Sequence, residues 1–314
     1  MRSGRGSEYI SKEFTLERSF LGSPKISERW GYKGGNMSLK TCINGATTMP
    51  YPLEEDIRSA AEAGFEGVEL WVPKVERYLE ERGVEDLEGA LKQGGLKVAS
   101  LCPYGLGAFS EKAEENRERI RKAAELAGAI GCPVLLVCPD SPPPGIGEAE
   151  AFQKAGEEAR RLGEICANYG VSIALEPLGG HPFVPGPKEA LKIVEEARHP
   201  GIKLMMDTFH YYKSAVSLED IAAIPVELLA LVHINDCEEG PREELTDGHR
   251  LWLGEGVIPL EDMIGTVARN GYKGYLSVEI FREEYWRQEV DEIARSAKAS
   301  LDALLTRLAC SRPM

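Results

Sequence analysis

No stretch of this chain has the run of about 18 apolar residues that a membrane-spanning helix needs, so none is expected. Close cysteine pairs are also missing. The seven cysteines stand at 42, 102, 132, 138, 166, 237 and 310, an odd number without a C-x-x-C spacing, which argues against a disulfide framework or a finger-type zinc module. Most lie in or beside apolar runs and read as reduced core thiols of a cytoplasmic protein. Positive charge is scarce. The formal net charge is -14, a field that repels nucleic acid and anionic membranes, and no basic patch offsets it. There is no short internal repeat, and no dinucleotide fingerprint. Gly254 and Gly256 come close to that spacing, but no strand leads into a helix there.

What the 314 residues do contain is a regular alternation. Short apolar runs near 39–43, 67–71, 96–102, 133–138, 171–176, 202–207, 229–235 and 275–281 read as strands, and amphipathic or charged segments follow each of them. The first helix shows how the punctuation works. Proline and three acids open it at 52–56, and Gly64 closes it. Eight strand-helix units favour a single-domain α/β fold, a parallel (β/α)8 TIM barrel, over an open doubly wound sheet of seven or eight strands. Parity supports closure: Ser172, Ala174 and Glu176 share one face of their strand, and Val171, Ile173 and Leu175 the other. The same split sets Ser277 and Glu279 against Leu276, Val278 and Ile280, and His233 against Val232 and Ile234. The barrel is expected over 37–314. Residues 1–36, rich in Gly, Ser and Arg, carry seven Lys or Arg against four Glu; they are expected to be a poorly ordered extension without a catalytic role.

Chemistry concentrates where the apolar runs stop. The stretch at 202–210, Ile-Lys-Leu-Met-Met-Asp-Thr-Phe-His, is a strand that ends in an acid and a histidine. Three more runs end in the same way, at Glu176, His233 and Glu279. A lone acid at a strand end is usually a helix cap or a loop salt bridge. Four such residues at equivalent positions converge on one barrel mouth, and three carboxylates with one imidazole suit a divalent metal ion such as Mn2+, Zn2+, Mg2+ or Co2+. Near them His210 either holds a substrate oxygen or caps the next helix. Glu69 either meets substrate or forms a buried ion pair, and His181 either meets substrate or shapes its loop. Trp252 is a wall residue or simply buried, and Arg282 steadies Glu279 or a substrate oxygen.

At these residues the chain resembles the xylose isomerase-like superfamily of metal-dependent barrels, and within it the inosose isomerases of inositol catabolism. The resemblance lies in Cys42-Ile-Asn-Gly-Ala-Thr-Thr48, Ala174-Leu-Glu-Pro-Leu-Gly-Gly-His181, Asp207-Thr-Phe-His210, His233-Ile-Asn-Asp236, Leu245-Thr-Asp247, Trp252-Leu-Gly-Glu-Gly256 and Ser277-Val-Glu-Ile-Phe-Arg-Glu-Glu-Tyr285. Gly45 stands where an acid is expected in the nearest relatives, and the Glu-Pro-Leu-Gly-Gly-His loop carries an extra glycine. The resemblance implies an isomerase or epimerase in which Glu176, Asp207, His233 and Glu279 hold the metal, while Glu176 and Glu279 move a proton beside a carbonyl. Its substrate is a small polyol or keto-sugar, with no nucleic-acid or membrane partner. The acidic stretches at 238–244 and 282–284 favour an unphosphorylated one. A ketose 3-epimerase and a 3-dehydroshikimate dehydratase-like lyase are the alternatives on the same site. The superfamily's DNA-repair nuclease adds early-strand histidines, and the corresponding ends here, Trp71-Val-Pro73 and Cys102-Pro-Tyr104, have none.

Overall fold

The computed structural model describes residues 39–310; the expectation for residues 1–36 lies outside them. Eight parallel strands close into a barrel: β1 (Lys40–Asn44), β2 (Gly67–Trp71), β3 (Lys97–Gly105), β4 (Val134–Cys138), β5 (Ser172–Leu175), β6 (Ile202–Asp207), β7 (Leu229–Ile234) and β10 (Tyr275–Val278). Each pairs with its sequence neighbours, and β1 meets β10 in the register Cys42 to Ser277, which closes the ring. Between them run α1 (Leu53–Ala63), α2 (Val72–Glu81), α3 (Val84–Gln93), α4 (Ala113–Ala129), α5 (Glu148–Ala167), α6 (Pro187–Ala197), α7 (Thr208–Lys213), α8 (Leu218–Ala222) and α9 (Leu260–Arg269). Two further helices, α10 (Glu283–Trp286) and α11 (Val290–Cys310), complete the ring. No helix among the described residues is long and apolar enough to cross a membrane.

Parity decides what lies inside the barrel. Val171, Ile173, Leu175, Val232, Ile234, Leu276, Val278 and Ile280 pack outward, into the large apolar layer between strands and helices. A small second cluster fills the interior: Cys42, Ala99, Cys102, Val134, Leu136, Ala174, Met205 and Leu231. Modest side chains there leave room for the polar groups above them. All seven cysteines are free thiols, six of them buried or half-buried.

The expected closing of the first helix is seen directly. Gly64 adopts φ 83°, a left-handed conformation costly for a side chain, and its N–H reaches the Ala60 and Ala61 carbonyls. One departure shapes the site. The acidic loop expected after the seventh strand contains a small antiparallel hairpin, β8 (Asp236–Cys237) with β9 (Arg250–Leu251). Two-residue strands are too short to leave an alternation in sequence. Asp236 fixes the far side, accepting hydrogen bonds from the Gly254 and Ile258 amides at 3.0 and 2.9 Å. The hairpin thereby folds Arg250 back into the interior.

Candidate metal centre and active-site mouth

Glu176 follows the last residue of β5, Asp207 ends β6, His233 lies one residue from the end of β7, and Glu279 follows β10. Because the strands are parallel, their C-terminal ends share one rim, and one ligand atom from each side chain falls within 4.8 Å of the others. His233 Nδ1 is the hub, 3.1 Å from Glu279 Oε2, 3.4 Å from Glu176 Oε1 and 3.7 Å from Asp207 Oδ2. All four residues are buried, yet His233 Nδ1 and Glu176 Oε1 have no hydrogen-bond partner. Leaving such groups unpaired away from water is costly, and a cation between them removes the cost. Three carboxylate oxygens and one imidazole nitrogen fit a divalent ion. A second grouping, Glu69, Cys102 and His233, fits less well. There the imidazole nitrogen is already engaged, and burial together with nearby carboxylates raises the Cys102 thiol well above its usual range, keeping it protonated.

Beneath the cluster is a layer of supporting groups. Glu69, expected to meet substrate in the mouth, sits instead below His233 with no exposure at all. Its Oε2 lies 2.8 Å from His233 Nε2 and accepts from the Ser277 hydroxyl at 2.8 Å, while Oε1 accepts from the Ser100 hydroxyl. This corrects the substrate role in favour of the buried-pair alternative. Glu69 is the third residue of a five-residue strand, one layer under the mouth. The pairing commits Nε2 to donation and turns Nδ1 toward the carboxylates, the arrangement by which a carboxylate fixes the tautomer of a metal-binding histidine. Burial alone would raise Glu69, but His233 and the two serines outweigh it and hold its carboxyl below the ordinary value. Asp207 divides its oxygens. Oδ1 caps α7 by accepting from the Phe209 and His210 amides at 2.7 and 3.2 Å, leaving Oδ2 for the cluster. Glu279 Oε1 accepts from Asn44 Nδ2 at 3.1 Å.

Arg250 is a residue of the candidate site that the sequence did not single out. Its guanidinium is 1% exposed and donates to Asp207 Oδ2 at 2.8 Å, Glu279 Oε2 at 3.0 Å and Asp247 Oδ1 at 2.7 Å. Such a buried fork neutralises part of the charge of three gathered carboxylates. Against burial, which raises it, this cation and the nearby histidines hold Asp207 well below the usual aspartate range. Glu176 and Glu279 go the other way: burial raises both carboxyls above the ordinary glutamate value.

A family model described as xylose isomerase-like TIM barrel matches residues 57–304. The chain belongs to that family. An inosose isomerase of Halalkalibacterium halodurans is 29% identical over 268 residues, covering 83% of this chain and 94% of the relative. A 3-dehydroshikimate dehydratase of Pseudomonas aeruginosa is 26% identical across 74% of this chain but only 37% of its own length. Among solved structures, the IOLI protein with a binding zinc atom superposes with a TM-score of 0.79 at 26% identity, covering 86% of this chain and 99% of that one.

In this xylose isomerase-like barrel the other expected substrate residues fall in different places. His210 is at the cluster's edge, its Nε2 3.9 Å from Glu176 Oε1 and 3.4 Å from Arg250, with a buried Nδ1 that has no partner. Burial holds its imidazole below the usual histidine value against the pull of Asp207, which favours the neutral form. His181 is loop architecture. Its Nδ1 accepts from the Phe183 and Val184 amides at 3.2 and 3.0 Å, which leaves Nε2 facing the Ser141 hydroxyl at 3.3 Å. Trp252 is buried and stacked on Tyr285, ring centroids 4.3 Å apart and 5° from parallel. Arg282 does not steady Glu279. It pairs with Glu238 at 2.7 Å and donates to the Arg250 carbonyl at 3.5 Å, clamping the hairpin from outside.

Proposed function

We propose that this protein is a metal-dependent isomerase that moves a carbonyl between adjacent carbons of an unphosphorylated cyclic polyol ketone, an inosose. The observation that carries this reading is the buried cluster itself, with His233 Nδ1 and Glu176 Oε1 unpartnered among three carboxylates. The likeness to inosose isomerases over most of the chain supports the substrate class. Four cations among the described residues are already engaged, which favours an unphosphorylated substrate. Arg250, Arg282, Lys74 and Lys213 are each held by carboxylates or backbone carbonyls of the loops they serve.

Glu176, Asp207, His233 and Glu279 would hold the ion, which supplies polarisation of the ketone and its neighbouring hydroxyl when bound. Glu176 takes the proton from the carbinol carbon beside the ketone. Its carboxylate accepts a hydrogen bond from the weak Cys138 thiol at 3.7 Å, whereas Glu279 is held by Asn44 and Arg250. The electrons of the broken C–H bond form the enediolate double bond. Glu279, three strands away round the ring, gives a proton to the former carbonyl carbon. The proton of the neighbouring hydroxyl passes to the former carbonyl oxygen, so that the neighbour becomes the new ketone, and exchange with solvent resets the two carboxyls. Each transfer contributes roughly 10²- to 10⁴-fold. Arg250 offsets negative charge as it develops, and His210 orients a substrate hydroxyl.

The test is proton NMR of the Zn2+- or Mg2+-loaded protein with scyllo-inosose in D2O. A second inosose with the carbonyl shifted, together with deuterium at carbon, is expected. Neither product nor exchange in a protein shown to hold its metal would overturn the reading. The same proton abstraction with loss of water, as the dehydratase relatives' name suggests, would instead give a conjugated product with new ultraviolet absorption.

A further inference from the structure

The rim of the barrel is divided. Ionic residues stand at the ends of β5, β6, β7 and β10, whereas β2 ends in Trp71, β3 in Gly105 and β4 in Cys138, none of them charged. Trp71 is two residues beyond Glu69, so it shares the inward parity, and its side chain packs against the small interior cluster. It is nonetheless part-exposed. A side chain inside a closed barrel meets solvent only at the mouth, so the exposed part of the indole faces the substrate space. In the closed strand order β2 lies four strands from β6 in either direction, which sets Trp71 across the mouth from Asp207.

Two neighbours hold the indole there. Phe281, two residues past Glu279, meets it edge-to-face at 5.7 Å and 69°, and the Arg250 guanidinium lies 5.4 Å from the same phenyl ring. Gly45 lies against the base of the tryptophan. A Cβ at residue 45 would come 3.0 Å from Asp56 Oδ2 and 3.1 Å from Trp71 Cβ, so a side chain there would press on the base of the tryptophan.

We propose that Trp71, braced by Phe281 and given room by Gly45, is a specificity-determining platform that stacks on the C–H face of a ring-shaped polyol while the ionic side of the mouth takes its oxygens. The inference deepens the reading given above and rests on it for the substrate class. A six-membered polyol ring with equatorial hydroxyls presents a flat face of axial C–H bonds, which an indole covers well; a flexible open-chain ketose presents no such face. The platform contacts ground state and transition state alike, so its loss raises KM more than it lowers kcat.

Two measurements on the Zn2+-loaded protein test it. In saturation-transfer NMR with myo-inositol, a ring that does not react, irradiating the aromatic protons should mark the axial ring protons in the wild type and in Trp71→Phe. The marking should be lost in Trp71→Ala. In kinetics, Trp71→Ala should raise KM for scyllo-inosose about ten-fold with kcat within about two-fold, and leave erythrulose, an open-chain ketose, within about two-fold. Absent or unchanged saturation of the ring protons, in proteins that hold stoichiometric zinc, would overturn the platform. So would an equal loss for ring and chain. Failure of the wild type to turn over inosose would sink the functional reading instead, and the myo-inositol experiment would still decide the role of Trp71.

Discussion

The two halves of this barrel handle charge in opposite ways. From β5 round to β10, carboxylates and an imidazole converge with atoms left unsatisfied, an arrangement that lowers stability until a cation arrives. Within the first half, the buried Lys74–Asp56 pair is fully satisfied. Lys74 Nζ donates to the Gly45 and Thr48 carbonyls, both at 2.8 Å, and to Asp56 at 2.7 Å, pinning the loop after β1 to α1 and α2. Satisfaction marks scaffold, and its absence marks chemistry. Substitutions in the two halves should therefore separate activity from stability.

The largest effect is expected in the ionic half. Glu176→Gln or Glu279→Gln should each lower kcat by roughly 10²- to 10⁴-fold while the denaturant midpoint stays close to that of the wild type. Retention of more than about a tenth of the turnover by either would remove it from the proton path. Lys74→Met should do the reverse, costing about 3–5 kcal/mol of stability in urea unfolding by stranding Asp56. The sign of its pH dependence follows from burial, which already pushes the Asp56 carboxyl up to about 7 against the pull of Lys74. A raised folded-state pKa favours the fold below the unfolded value and loses that advantage as pH climbs through the folded one. Without Lys74 the folded value rises further, so the loss should be greater at pH 8 than at pH 5. A pH-independent loss would show that Asp56 is not the stranded group.

Glu69→Gln sits on the border between the halves, since Glu69 belongs to β2 but serves His233. Zinc affinity by competition titration should fall about 10- to 100-fold, with the fold intact, because Gln can leave the imidazole in the wrong tautomer. Unchanged affinity would reduce Glu69 to packing. The smallest effect is expected for Arg282→Ala. Its pair with the half-exposed Glu238 lies outside the cluster, and loss of about 1 kcal/mol or less with near-normal turnover should follow. A collapse of kcat would restore the steadying role first expected of it.

The same contrast explains what was legible in the sequence. The four ligands announce themselves because each apolar run of a parallel strand stops where a polar residue begins, and the strand end is the rim. Parity gave the inner face but not the depth. Glu69 and Trp71 share one face of β2, and the charged residue drew the substrate role although the strand end belongs to the tryptophan. Arg250 was hidden for another reason. Its strand is two residues long, and what places it is a pairing with Asp236–Cys237 across a loop. His181 shows the limit of residue type as a guide: in its loop an imidazole does the work of a turn, accepting two amides.

Asp207 has a consequence for anyone who would move this site to another scaffold. One of its oxygens starts α7 and the other faces the cluster, so the same carboxylate sets both the position of the ligand and the direction in which His210 leaves the strand. Copying four side chains onto a foreign barrel would transfer the donors but not the angle at which the next helix begins. The portable unit is the strand end together with its first helical turn, and a transplant that leaves the turn behind would be expected to hold a metal but misplace the substrate.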